Sequence, residues 1–166
     1  MAWSANVVTY CRASDSTTPF TGGLTNLSID YPTSATPEAL ANGTGADQID
    51  LGFGDSRSYD TSGVTWDLTS ISKASTNTNA ATFTVVKYVA TFNEGATNDI
   101  TWGNAASVQF TPGFSAATTT VTIQEGGHIA FFNPTAAGWD CTTNKNLKIV
   151  AAASTTTGTL IVLGED

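Results

Sequence analysis

Charge is scarce in this chain. Acidic and basic residues make up only 12% of its 166 positions, about half the usual share for a soluble domain. Basic residues are scarcer still, at six against fourteen acidic ones, for a net charge of −8. A phosphate backbone would repel such a chain, so nucleic acid is excluded as a partner. There is one histidine, one methionine and two cysteines. That is too few ligands of the right softness for a zinc or copper site, and no CxxC pair exists for redox chemistry. No stretch approaches the roughly 18 continuous apolar residues of a membrane helix. Met1-Ala2-Trp3-Ser4-Ala5-Asn6 lacks the basic and apolar regions of a signal peptide, so the expectation is a protein made and used without Sec export. Eight leucines, four lysines and four glutamates leave little material for amphipathic helices.

What remains is 30 threonines with abundant serine, asparagine and glycine. Threonine is β-branched and favours a pleated, half-buried surface. The length fits one domain burying roughly 70% of its unfolded surface, enough for a core without metal or disulfide. Cys11 and Cys141 allow one internal bridge, two buried thiols or cross-links between subunits; the expectation is buried and reduced.

Short strand-like runs recur at 3–11, 24–31, 48–53, 64–71, 82–92, 99–102, 107–110, 118–123, 128–133, 146–151 and 159–163. About ten such runs, separated by turn signals, are the pattern of an all-β sandwich or barrel, and the spacing leaves the connectivity between sheets open. Within 82–92, Phe83, Val85, Lys87, Val89 and Thr91 alternate with Val86, Tyr88, Ala90 and Phe92. Both sets are largely apolar, which predicts a central strand. Runs 118–123 and 147–149 keep one face polar, as strands nearer solvent do. Trp66 alternates with Val64 and Leu68 and is expected to share their inward face. One short helix is allowed, with Thr36 as N-cap and Pro37 at the first helical position. Residues 72–80 form a polar loop expected to be a mobile tip.

Several strings suggest chemistry. Phe53-Gly54-Asp55-Ser56 resembles the nucleophile block of the SGNH hydrolases, and Glu125-Gly126-Gly127-His128 resembles their acid and base element. That nucleophile belongs on a strand-to-helix turn of an α/β sheet, and nothing here alternates strand with helix. Gly43-Thr44-Gly45-Ala46-Asp47-Gln48-Ile49 matches most of a calcium β-roll repeat, but the next Asp falls one residue early. Asp47, Asp50 and Asp55 therefore read as a solvated acidic turn. Trp3, Trp66, Trp102 and Trp139 offer either core packing or a sugar-stacking platform. No catalytic, cofactor-binding or metal-ligating residue is assigned.

From Asn42 onward the chain resembles small bacteriophage and prophage virion proteins of jelly-roll type. The blocks are Gly43-Thr44-Gly45-Ala46-Asp47-Gln48, Asp55-Ser56-Arg57-Ser58, Trp66-Asp67-Leu68, Val85-Val86-Lys87-Tyr88-Val89 and Gly103-Asn104-Ala105-Ala106-Ser107. They continue with Val121-Thr122-Ile123-Gln124-Glu125-Gly126-Gly127, Pro134-Thr135-Ala136-Ala137-Gly138-Trp139 and Gly158-Thr159-Leu160-Ile161-Val162-Leu163-Gly164. The resemblance implies an all-β, jelly-roll-like antiparallel β-sandwich and a virion structural protein, such as a head decoration, cement or minor capsid protein, assembled in the host cytoplasm beside a major capsid protein. It implies no enzyme, cofactor or membrane. The expected organisation is an N-terminal segment, 1–41, and a sandwich domain, 42–166. The expected assembly is a homo-oligomer held by sheet edges and residues 1–33. The alternative function is an extracellular adhesin or carbohydrate-binding module.

Overall fold

The computed structural model describes residues 5–7, 11–14, 28–31, 38–72, 81–112 and 118–166. Most of the loop expected at 72–80 lies outside them, as does Trp3. The chain divides into two compact units, Ser4–Leu40 and Ala41–Asp166. In the smaller, β1 (Ala5–Val7) pairs antiparallel with the start of β4 (Glu38–Asn42). Its other strands, β2 (Cys11–Ser14) and β3 (Ser28–Tyr31), pair with each other.

The helix expected after Thr36 does not form over its described part, because residues 38–42 are β4. Ala41 and Asn42 pair in parallel with β5 (Gln48–Ile49). A helix starting at Pro37 would reach Asn42-Gly43 within about two turns, too short to offset its nucleation. The ladder satisfies the same backbone groups at once.

The larger unit is an antiparallel sandwich of eight principal strands. In chain order these are β6 (Leu51–Tyr59), β7 (Val64–Asp67), β8 (Val85–Asn93), β9 (Ile100–Gly103), β10 (Thr120–Ile123) and β11 (His128–Phe132). After the two-residue β12 (Trp139–Asp140) come β13 (Asn146–Ala151) and β14 (Thr156–Glu165). One sheet has the order β10-β9-β13-β7 and the other β11-β8-β14-β6, with β12 also pairing β8. The pairs are nested. β6 pairs with β14, β7 with β13, β8 with β11, and β9 with β10. A long hairpin of four strand pairs, wrapped so that its pairs fall alternately in two facing sheets, is the jelly roll. The only helical element among the described residues is a 3-10 turn at Leu68–Ser70, capped by the Asp67 carboxylate accepting from the Thr69 N–H at 2.9 Å.

Between the sheets lie Phe53, Tyr59, Trp66, Leu68, Phe83, Val86, Val89, Ile100, Trp102, Leu147, Ile149, Leu160 and Val162, all buried. β13 shows why its sequence makes a strand: Leu147, Ile149 and Ala151 are buried while Asn146, Lys148 and Val150 are not. Trp66 is inward with Leu68, as its alternation predicted, and Val64 packs against the same core. β8 is central, lying between β11 and β14.

The expected faces of β8 hold only from Tyr88 onward. The β14 register shifts between Leu163 and Gly164, pairing Leu163 with Tyr88 but Gly164 with Val86. Lys87 is the extra residue of this bulge. A bulge reverses the alternation on one side of itself. Val86 therefore joins the core instead of sharing a face with Tyr88, Ala90 and Phe92.

Candidate functional site

The hydrolase-like residues are far apart in function although they share a sheet. Ser56 stands in the middle of β6, not at a strand-to-helix turn, and its hydroxyl donates to Glu94 Oε2 at 3.2 Å. His128 stacks on Phe92, with ring centroids 5.3 Å apart. The pairings His128 to Phe92, Phe92 to Thr159 and Thr159 to Ser56 place three strand spacings between base and hydroxyl. At about 4.8 Å per spacing that is ~14 Å, far beyond hydrogen-bond reach. Ser56 has no base.

The three aspartates are likewise engaged separately. Asp55 Oδ2 lies 2.7 Å from the Arg57 guanidinium, which itself sits 3.7 Å over the Trp66 ring. Asp50 Oδ1 accepts from the Asp166 N–H at 3.2 Å, and its carboxyl is raised above the usual range by burial first, then by the Asp166 and Glu165 charges. Asp47 lies in the exposed turn before β5 with φ 55°. No cluster of three metal-ligating side chains occurs among the described residues.

The three described tryptophans pack. Trp66 meets Phe53 edge-on at 5.5 Å, Trp102 is fully buried and tilts against Phe131 at 5.5 Å, and Trp139 meets Phe110 edge-on at 6.5 Å. Cys141 is a free, buried thiol that donates to Phe83 O at 3.1 Å, and burial pushes its pKa up to about 12. A thiol held so firmly protonated is a poor nucleophile. Lys87 is fully buried, within 2.5 Å of Glu165 Oε1, and donates to Gly45 O. Its ammonium ties the turn before β5 to the last strand.

The outward face of the β11-β8-β14-β6 sheet is different in kind. Its register sets three rows across the strands: Phe132, Tyr88, Leu163 and Gly52; Ala130, Ala90, Ile161 and Gly54; His128, Phe92, Thr159 and Ser56. The first two rows are wholly apolar apart from the Tyr88 hydroxyl. Tyr88 and Phe132 meet edge-on at 6.5 Å. The third row opens onto a polar rim where Glu94 accepts from Ser56 and, at 2.7 Å, from Thr159. At the β6 end, glycines leave a low shelf, and a Cβ added at Gly54 would meet nothing within 4 Å.

Alternation along each strand made this face legible in principle. The strand-like run at 48–53 stops at Phe53, where Phe53–Ser56 resembles a motif, so the sequence pattern lacks the β6 end of this face. Comparison of the chain with protein-family models, curated proteins and solved structures finds no match.

Proposed function

We propose that this chain is a non-enzymatic structural subunit of a bacteriophage virion, of the head decoration, cement or minor capsid kind, working by packing against copies of itself and against the major capsid protein. The observation that carries the reading is the apolar outward face of the β11-β8-β14-β6 sheet. Rows of Phe132, Tyr88, Leu163 and of Ala130, Ala90, Ile161, rimmed by Glu94, Ser56 and Thr159, form an apolar centre with a polar border. That is the anatomy of a protein interface. The jelly roll recurs in capsid proteins, though fold alone names no function. The virion setting rests on the sequence resemblance.

The contact expected at sheet edges moves to this face. β6 is an edge strand of nine residues, yet Asp55 and Arg57 point inward from it. Inward charges are one of the devices that discourage edge-to-edge pairing. A two-fold contact across the face would bury the aromatic rows of both copies and set the glycine shelf of one against the other.

Light scattering of the full chain at micromolar concentration is expected to show a homo-oligomer. Gly54→Glu is expected to reduce it to a folded monomer with an unchanged far-UV circular dichroism spectrum, since the side chain has open space in one protomer but carries a charge into the contact. A wild-type monomer, or an oligomer indifferent to Gly54→Glu, would overturn the face as the contact.

A further inference from the structure

On the opposite sheet, the outward face of β10-β9-β13-β7 carries a groove of about 480 Å³ lined by Thr61, Thr101, Gly103, Asn104, Thr120, Lys148, Val150, Ala151 and Ala152. Register builds it. Thr120 lies across from Gly103, Thr101 is flanked by Thr122 and Val150, and Lys148 stands beside Thr65. Gly103 is what opens the floor: its φ is 107°, and an added Cβ would stand 2.4 Å from Thr119 O. No side chain can fill the space between Thr120 and Lys148.

The groove holds polar groups that the chain itself does not satisfy. Arg57, Lys87 and Lys145 each pair with a carboxylate, Asp55, Glu165 and Asp67 in turn. Among the cations whose side chains are described, Lys148 alone has no such partner. Asp67, two residues along β7 from Lys148's partner Thr65, is held by Lys145 at 2.7 Å and by Thr69. Asp60, in the turn before β7, accepts from Ser62 and Gly63. No acid lines the groove, although the chain carries fourteen. Among the described residues, no hydrogen bond engages the side chains of Thr61, Thr101, Asn104 or Thr120. Asn104 is also held at φ 55° in the groove wall, a left-handed conformation that asparagine tolerates better than most residues.

We infer that this groove binds an acidic carbohydrate, its carboxylate on the Lys148 ammonium, its hydroxyls on Thr61, Thr101, Thr120 and Asn104, and its C–H face on Val150 and Ala152. Size decides against a bare anion. The volume falls within the range of small-molecule sites, and inorganic phosphate would leave most of it, and most of the hydroxyls, unmatched. The mixture of one charge, several neutral polar groups and a small apolar floor matches a sugar acid. Neither the site nor its occupant depends on the assembly reading.

The test is calorimetric titration of the full chain with oligosaccharides ending in glucuronic acid or N-acetylneuraminic acid, with their neutral counterparts, and with inorganic phosphate. Saturable binding of an acidic oligosaccharide is expected, weakened at least tenfold by removing its carboxylate. Lys148→Met and Thr101→Val are each expected to weaken it with an unchanged melting temperature, the former at least tenfold, and Lys148→Arg to retain it. The inference is overturned if no acidic oligosaccharide binds, if Lys148→Met binds as the wild type does, or if phosphate alone binds as tightly as the sugar.

Discussion

Cys141 and Tyr59 are groups that burial holds in their neutral forms. The thiol is raised from 9.0 to about 12 by burial, with the Asp140 charge adding to the effect. The phenol is raised from 10.0 to about 12, burial outweighing the opposing pull of the Trp66 indole and the Arg57 charge. A folded pKa above the unfolded one means that stability is fully present below the unfolded value and is lost as pH rises toward the folded one. Urea midpoints are therefore expected to hold up to about pH 9 and then fall, with a loss on the order of 4 kcal/mol by about pH 11. In Cys141→Ala the onset should move toward pH 10, where only the phenol titrates; an unchanged onset would remove Cys141 as its cause. At this scale the sequence was informative where one residue's own chemistry decides. A thiol beside Trp139 and Asp140 reads as a small buried hydrophobe, and it is one. It was silent about Lys87, because nothing local shows that the last strand brings Glu165 to within 2.5 Å of its ammonium.

Strands announced themselves where propensity and pairing agree. The run 146–151 is β13 residue for residue, and 128–133 differs from β11 by one. β6 was cut short because Gly54, Asp55, Ser56 and Ser58 are poor strand formers. Pairing with β14 along its length overrides that local preference. Run 107–110 became only an isolated bridge from Gln109 to Asn146. Val108, in the middle of that run, sits at φ 44°, outside strand geometry. The bulge at Lys87 was equally invisible, since it depends on how β8 pairs with β14. There Gly164 is confined: an added Cβ would stand 2.0 Å from Val85 O, a backbone atom that cannot swing aside. Gly164→Ala is expected to destabilise the fold by about 1–3 kcal/mol, whereas Gly54→Ala should stay within about 0.5 kcal/mol. Chemical denaturation of the two variants checks this directly, and equal effects would show that the bulge absorbs the methyl.

At the scale of the whole molecule, the fold class was readable while the order of strands was not, because alternation tells which face a residue takes and not which neighbour its strand meets. The nested pairing has a consequence in time. β14 pairs with both β6 and β8, filling an interior position in its sheet, yet it follows the sheet's other strands in sequence. Until a ribosome has released residues 156–166, β6 has no partner among the other strands of its sheet and β8 is left open along one edge. Contacts of such long sequence separation make folding slow, on the order of milliseconds to seconds. Nascent chains should stay protease-sensitive until β14 emerges, and a chain stopped at residue 155 should give no cooperative thermal transition. The sandwich closes only once residues 156–165 are available to pair with β6 and β8, so it becomes competent for assembly all at once rather than by degrees.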